Sequence, residues 1–152
     1  MATIRKFEDL EIWQIAREFC KKVYGFTNSE PFSKDFSLKD QIRNSSGSMM
    51  DNPVEGFERG GRKEFIQFLV IAKGSAGEAR SQLYRALDQK YISEADFNEA
   101  MEMNKNFSSK TQKFIEYLNH TSIKGTRYKV EENESSYSEL PDFDTFFELQ
   151  KP

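Results

Sequence analysis

The chain has 152 residues with 22 Lys+Arg against 25 Asp+Glu, a single cysteine and a single histidine. One cysteine excludes an intrachain disulfide, and no Cys/His spacing typical of a metal site is present. No apolar run reaches the length of a signal peptide or the roughly 20 residues of a membrane span, which predicts a soluble, cytoplasmic protein without a membrane partner.

The charge is divided unevenly between a body and a tail. Residues 1–120 carry 18 basic and 18 acidic side chains, whereas residues 121–152 carry 4 and 7. We therefore predict one helical domain over 1–120 and an acidic tail over 121–152. Dedicated nucleic-acid-binding proteins usually have a basic excess, so the balanced body argues against strong RNA or DNA binding by a single subunit.

The first predicted helix runs from about Asp9 to Thr27. One apolar strip recurs at spacings of three and four, which is the helical period; it comprises Ile12, Ala16, Phe19, Val23 and Phe26. A second strip lies beside it and comprises Leu10, Trp13, Cys20 and Tyr24. The combined arc is wider than one core-facing stripe requires, so we expect this helix to be covered on two sides.

The second predicted helix begins near Ser37, which with Asp40 forms a capping pattern. It must include SSGSMMDNPVEG, residues 45–56, whose serines, glycines and proline are compatible with a loop, a catalytic turn or a helix. Helical period is kept by Leu38, Ile42, Ser45, Met49 and Gly56. We therefore predict a helix whose small residues let a neighbour approach closely, with a bend at Pro53 and an end near Gly60.

The third predicted helix runs from Arg62 to about Gln89. Its core face comprises Phe65, Leu69, Ala72, Ala76, Ala79, Leu83 and Leu87. Glycine inside a helix costs about 1 kcal/mol relative to alanine, so Gly74 and Gly77 indicate close packing. A second apolar strip is offset from the core face and comprises Ile66, Val70 and Tyr84.

The fourth predicted helix starts at the capping pair Ser93 and Asp96 and ends near His120. Its buried face comprises Phe97, Met101, Asn104, Phe107, Thr111, Phe114 and Leu118. Short connections between long amphipathic helices favour antiparallel neighbours. The fold class predicted is all-α, an up-down-up-down antiparallel four-helix bundle.

The tail changes character along its length. KVEENESSYSELP, residues 129–141, is Ser/Glu-rich, a composition typical of disordered chains. DFDTFFELQKP, residues 142–152, could form one or two helical turns in which Phe143, Phe146 and Phe147 share a side. Two interpretations stay open: a mobile tail, and a segment that docks on a partner or on its own bundle.

The sequence gives little support for a catalytic site or a metal site. His120 lies at a predicted helix end, and Glu116 is four residues upstream, not the three of a Glu-x-x-His motif. Cys20 lies in an apolar arc and is interpreted as a buried structural thiol. The turn at 60–63 lacks the spacing of a phosphate loop. We predict no metal, no cofactor and no catalytic residue.

A polar stripe borders the apolar face of the second helix. It contains Gln41, Ser48, Asn52 and Glu55, and Glu55 is four residues before Arg59, a spacing that favours an ion pair. The stripe has three interpretations: a solvated flank, a catalytic cluster, or a hydrogen-bonded structural network that reaches Ser75 or Glu78. We favour the network.

Basic residues gather near the turn between the second and third helices. Arg59, Arg62 and Lys63 lie there, and Arg43 lies further back. In a symmetric oligomer even a small cluster becomes a ring of charge. A scattered, solvated surface is the alternative.

These residues together resemble a bacterial family of four-helix-bundle proteins encoded by intervening sequences of 23S rRNA genes. The resemblance covers roughly residues 5–118. Its carriers are Phe7, Leu10, Trp13, Gln14, Tyr24, Thr27, Leu38, Gln41, Arg43, Ser48, Asn52, Glu55, Gly56, Phe65, Phe68, Leu69, Ala72, Gly74, Ser75 and Glu78. Some members assemble into five-subunit barrels. A related protein, the accessory protein of diversity-generating retroelements, binds a reverse transcriptase and RNA through a positively charged barrel.

The resemblance implies a homo-oligomer, with a pentamer preferred, and nucleic-acid or partner contacts near Arg43, Arg59, Arg62 and Lys63. The surplus apolar strips predict the oligomer interface at Trp13, Tyr24, Ile66, Val70 and Tyr84. The predicted function is a non-catalytic scaffold or adaptor for a protein or nucleoprotein. Direct RNA binding through a basic ring is one alternative, and an enzyme that uses Glu55 is another.

Overall fold

The computed structural model describes residues 4–120, which form four α-helices and two short 3₁₀ turns, at Phe7–Asp9 and Phe32–Lys34. The helices are α1 (Glu11–Asn28), α2 (Phe36–Arg59), α3 (Arg62–Asp88) and α4 (Glu94–His120). Each helix packs against the next along the chain, and α4 closes the ring against α1. The predicted all-α four-helix bundle is confirmed, and within residues 4–120 no β-strand occurs.

The predicted N-terminal cap is wrong for α2 and correct for α4. The Asp35 carboxylate, and not Ser37, caps α2 by accepting the Leu38 N–H at 3.1 Å. Ser37 lies inside the first turn, where its hydroxyl accepts from the Gln41 amide at 2.9 Å. At α4 the prediction is confirmed, because the Ser93 hydroxyl accepts the Asp96 N–H at 3.1 Å.

Helix α2 continues through the whole Ser/Gly-containing stretch, so that stretch is neither a loop nor a catalytic turn. Pro53 lies buried within it, where its ring removes one backbone donor without ending the helix. The end comes at Arg59, followed by Gly60 with φ 77°, a left-handed conformation that glycine adopts without strain.

The core is built mainly from the predicted apolar faces of the four helices, although Phe26, Leu87 and Phe114 are only half-buried, and Phe32 of the second 3₁₀ turn adds to it. Its largest fully buried side chains include Phe19, Phe32, Phe65 and Phe107. Gly56 lets α2 and α3 approach closely: a Cβ on this glycine would lie 2.8 Å from Phe68 Cβ and 3.1 Å from Phe65 Cα. The prediction of small packing positions in α2 is confirmed at Gly56.

The two glycines of α3 behave differently from Gly56. A Cβ on Gly74 would meet no atom within 4 Å, and one on Gly77 would meet only the Arg80 guanidinium, at 3.7 Å. The close packing that they predict is therefore not found within residues 4–120. They lie on the outer side of α3, where nothing in residues 4–120 covers Gly74.

Three further sequence predictions concern the tail, membrane spans and metal sites. The acidic tail and its short aromatic helix lie outside the described residues. Among residues 4–120, no helix combines the length and the apolar character that crossing a bilayer requires. In the same range, no three His, Cys, Asp or Glu residues are grouped so that they could hold a metal ion.

Candidate interaction surfaces

A polar seam joins α2 to α3 near the middle of the bundle. The hydroxyls of Ser48 and Ser75 lie 2.7 Å apart, and the Asn52 amide donates to the Ser48 carbonyl at 3.0 Å. The structure therefore brings together Ser48, Asn52 and Ser75, three members of the predicted network. All three are partly buried, which makes their mutual hydrogen bonds part of the helix packing.

The seam extends toward the start of α2, where Ser45, Gln82 and Arg85, which the sequence prediction missed, connect to the predicted members Glu78 and Gln41. Ser45 donates to the Gln82 side-chain oxygen at 2.6 Å, and the Gln82 amide donates to Glu78 at 3.2 Å. Further along, Arg85 donates to the side-chain oxygen of Gln41 at 3.0 Å. Gln82 could have been found, because it lies seven residues after Ser75 and so returns to the same side of α3.

Glu55 lies apart from this seam. Its carboxylate pairs with Arg59 at 2.8 Å, the i,i+4 ion pair that the spacing favoured, and both side chains are half exposed at 52%. An exposed pair of this kind contributes little to stability. No contact joins Glu55 to Ser48, Asn52 or Ser75 among the described hydrogen bonds.

Arg43 is held by the last turn of α1. Its Nε donates to the Thr27 hydroxyl at 2.8 Å, and a terminal nitrogen donates to the Asn28 side-chain oxygen at 2.9 Å. The guanidinium stacks 4.4 Å from the centroid of the Tyr24 ring. A cation at this position also opposes the negative end of the α1 dipole. Arg43 therefore has a structural role at the α1–α2 contact.

The other three predicted basic residues lie at the α2–α3 turn. Arg59 pairs with Glu55, lies 3.9 Å from Glu64 and stacks over the Phe68 ring, 5.0 Å from its centroid. Arg62 donates to the Leu118 carbonyl at 3.0 Å, and Lys63 is exposed. Arg43 precedes Arg59 by sixteen residues in α2, which places the two residues roughly 24 Å apart along the helix axis. Within one chain the four side chains do not form a single patch.

An uncharged strip runs along the outer side of α3, and we call it the α3 strip. It follows spacings of four, four, three, four and three, and comprises Ile66, Val70, Gly74, Gly77, Ser81 and Tyr84. Val70 is 54% exposed and Tyr84 is 52% exposed, whereas Ile66 is half-buried. The strip therefore places two exposed apolar side chains, separated by small residues, on one side of α3.

Charged side chains on both sides of the α3 strip hydrogen-bond to neighbouring helices. On the α4 side, Lys73 donates to the Gln112 side chain at 2.6 Å, and Arg80 donates to Asn104 at 3.0 Å and Ser108 at 2.8 Å. On the α2 side, Arg85 reaches across to Gln41. The residues of the strip itself are uncharged over about five helical turns, and the Arg80 guanidinium lies beside Gly77.

A second apolar surface lies on α1. Tyr24 is 47% exposed. Trp13 is half-buried, packs edge-on to Phe7 with centroids 5.2 Å apart and carries Arg17 over its ring at 5.6 Å. Of the five predicted interface residues, Tyr24, Val70 and Tyr84 are exposed and the other two are half-buried. None is fully covered by residues 4–120, and their interface role stays a prediction.

Cys20 is a structural thiol. It is buried between α1 and α2, and its Sγ donates to the Ser46 carbonyl at 3.0 Å. Burial raises the pKa of this thiol to about 11. The thiolate, which is the reactive form, is therefore scarce near neutral pH.

Comparison with known proteins gives a family and a fold. The family model described as 23S rRNA-intervening sequence protein matches residues 8–113. A crystal structure of a protein of unknown function from the S23 ribosomal protein family of Bacteroides thetaiotaomicron aligns with a TM-score of 0.63 and 23% identity, covering 68% of this chain and 97% of that chain. At this identity the structural match supports the fold alone. No curated protein matches significantly.

Proposed function

The chain belongs to the 23S rRNA-intervening sequence protein family, and from this premise and the surfaces described above we propose that it is a non-catalytic, homo-oligomeric scaffold or adaptor for a protein or nucleoprotein partner. The observation that carries the proposal is the α3 strip. Its residues Val70 and Tyr84 are more than half exposed, yet the strip has no charged side chain. A second copy of the chain would remove this apolar surface from water.

The glycines of the strip support the same proposal. Each glycine in a helix interior costs about 1 kcal/mol relative to alanine. Gly56 offsets that cost by close packing inside the bundle, but Gly74 has no atom of the described chain within 4 Å of a Cβ position. A neighbouring subunit whose helix approaches the backbone at Gly74 would offset the cost there.

The α3 strip is too small to form the whole assembly interface. The strip extends from Ile66 to Tyr84, roughly 27 Å, and a helix is about 10 Å wide. That footprint is well below the approximately 800 Å² per partner of a stable interface. The apolar surface of α1 at Trp13 and Tyr24 supplies a second patch. Contact between α3 of one copy and α1 of the next would be heterologous, and a heterologous contact forms a ring when its rotation closes. A pentameric ring is our specific proposal.

The polar seam between α2 and α3 supports a structural role more than a catalytic one. Ser48, Asn52 and Ser75 hydrogen-bond to one another, and Glu55 is occupied by Arg59. A nucleophile and base used in catalysis would have to face a substrate and would lie within hydrogen-bond reach of each other. We therefore place the non-catalytic function ahead of an enzyme that uses Glu55.

Direct RNA binding, which the predicted relation to the retroelement accessory protein would imply, is the weaker alternative. Arg43, Arg59 and Arg62 each use donors on acceptors of their own chain. A basic ring would depend on repetition of Arg62 and Lys63 around an oligomer. RNA affinity that falls steeply with salt, and that disappears when Arg59, Arg62 and Lys63 are changed together, would favour this alternative.

Light scattering of the full chain tests assembly. We expect a mass that is a multiple of the 17.8 kDa chain mass at micromolar concentration. Val70→Glu places a charge on the α3 strip and should lower that mass toward the monomer. Phe36→Glu makes the same apolar-to-acid change at a 68% exposed residue outside the strip and should leave the mass unchanged. A strictly monomeric wild-type chain would contradict the proposal.

A further inference from the structure

Three cations line the α4 side of the α3 strip without a carboxylate partner. Lys73 and Arg80 donate to neutral side chains of α4, and Lys105 is an exposed residue of α4 one turn before Ser108. None of the three is within salt-bridge distance of an acid in residues 4–120. On the opposite side of α4, by contrast, Lys110 pairs with Glu11 at 2.8 Å.

We call the α3 strip together with these three cations the α3–α4 face. It combines the uncharged α3 strip with three cations that form no salt bridge within residues 4–120. An acidic ligand with apolar side chains complements both properties, because opposite charges attract it and burial of the ridge stabilises the complex.

The chain itself contains such a ligand in residues 139–150, ELPDFDTFFELQ. This segment has four carboxylates, at Glu139, Asp142, Asp144 and Glu148, and no lysine or arginine. Phe143, Phe146 and Phe147 recur at spacings of three and four, which places them on one side of a helical turn. Acidic amphipathic segments of this type bind in apolar grooves through regularly spaced anchors.

The length of residues 139–150 is compatible with the length of the α3 strip. A helix of twelve residues is about 18 Å long and fits within the roughly 27 Å of the α3 strip. The strip is too small to hold a subunit by itself, but it is large enough for a few aromatic anchors. Its size therefore suits a short segment better than it suits a complete dimer interface.

The connection also has a suitable length. Helix α4 ends beside the start of α3, where Arg62 donates to the Leu118 carbonyl. The middle of the α3 strip lies about 20 Å further along α3. A flexible linker with as many residues as 121–138 has an r.m.s. span of about 20–25 Å. Effective concentration is greatest when linker length and span agree, so docking within one chain is favoured.

We propose that residues 139–150 bind to the α3–α4 face of their own chain, with the phenylalanines on the α3 strip and the carboxylates toward Lys73, Arg80 and Lys105. The segment then covers Ile66, Val70 and Tyr84. A second copy of the chain would compete for the same residues, so the segment limits assembly; this consequence rests on the proposed function, whereas the docking itself does not.

Paramagnetic relaxation in the full chain tests the docking. Ser138→Cys carries a nitroxide label in a Cys20→Ala background, and the sample is labelled with ¹⁵N. We expect the amide signals of Val70, Gly77 and Ser81 to lose more than half of their intensity, and those of Gln14 and Lys21 on α1 to keep theirs. High salt should reduce the loss, because the charge attraction is screened.

Two disrupting variants, one control variant and one mixed sample distinguish the possible outcomes. Phe146→Ala with Phe147→Ala should abolish the intensity loss, and so should Lys105→Glu, whereas the matched Tyr128→Ala outside the segment should preserve it. A mixture of ¹⁵N chains without label and labelled chains without ¹⁵N should show no loss. Equal loss on all helices, loss on another face, or loss that appears in the mixed sample would each overturn docking within the chain.

Mass measurements on the same variants keep this inference separate from the proposed function. If the chain is monomeric but the label broadens α3, docking stands and assembly fails. If the chain assembles but the label broadens nothing, assembly stands and docking fails. When both hold, Phe146→Ala with Phe147→Ala should raise the assembled fraction at least twofold at a fixed concentration.

Discussion

The α2–α3 contact and the outer side of α3 each contain a helical glycine, but only the glycine at the contact packs against a neighbouring helix. Toward α2, Gly56 leaves room for Phe65 and Phe68, and a Cβ there would lie 2.8 Å from the nearest atom. On the outer side, Gly74 faces open space within the described chain. The comparison shows that a helical glycine permits close packing only where another helix approaches it. At Gly74 the described chain contains no such helix.

The largest effect should come from closing the gap at Gly56. Gly56→Ala forces a methyl group against Phe68 Cβ and against the Phe65 backbone, neither of which can rotate away. We expect the free energy of unfolding to fall by about 2–3 kcal/mol, the usual cost of overpacking, in urea denaturation followed by circular dichroism.

Gly47→Ala is the matched control, since Gly47 also lies in α2 but has no atom within 4 Å of its Cβ position. Alanine there should be neutral or stabilising by up to about 1 kcal/mol. Equal loss of stability in both variants would mean that helix α2 as a whole, and not the contact with α3, resists the extra methyl group.

The polar seam should give the next largest effect. Gln82 is buried at 3% exposure and accepts the Ser45 hydroxyl at 2.6 Å. Gln82→Ala removes that acceptor and leaves a cavity, and we expect a loss of about 2 kcal/mol in the same denaturation experiment. Replacing both partners, Ser45→Ala with Gln82→Leu, should recover most of the loss. A double variant as unstable as the single one would show that the hydrogen bond is not what Gln82 contributes.

Helix periodicity was sufficient to predict the bundle, but not the environment of each surface residue. The core faces follow from spacings of three and four, as at Phe65, Leu69 and Ala72, because burial of one helical face dominates folding. Caps depend on single hydrogen bonds, so the neighbouring Asp35 replaced Ser37. The partners of Arg43 and Gln82 come from other helices, and their packing register is not encoded in the local pattern. For the same reason Gly56 and Gly74 could not be distinguished beforehand.

A smaller effect of opposite sign is expected inside the bundle at Thr111. This residue is fully buried, and its hydroxyl has no hydrogen-bond partner among residues 4–120. Thr111→Val keeps the shape and removes the unsatisfied oxygen, so the free energy of unfolding should rise by about 1 kcal/mol. Thr111→Ser keeps the oxygen and removes the methyl group, and it should destabilise. A stability loss in the valine variant would reveal a hidden partner for the hydroxyl.

The smallest expected change is at Gly74. It tests most directly the contrast between Gly56 at the α2–α3 contact and Gly74 on the outer side of α3. Because a methyl group there meets nothing within the described chain, Gly74→Ala should raise the stability of the isolated subunit by about 0.8 kcal/mol through helix propensity alone. If a second copy packs against the strip, the same methyl group should weaken assembly, and light scattering should report a lower mass. Stabilisation of the subunit together with loss of assembly can arise only when the glycine serves a contact outside its own chain. Stabilisation with an unchanged mass would instead place the assembly contact elsewhere, and Gly74 would then be a tolerated defect of an exposed helix.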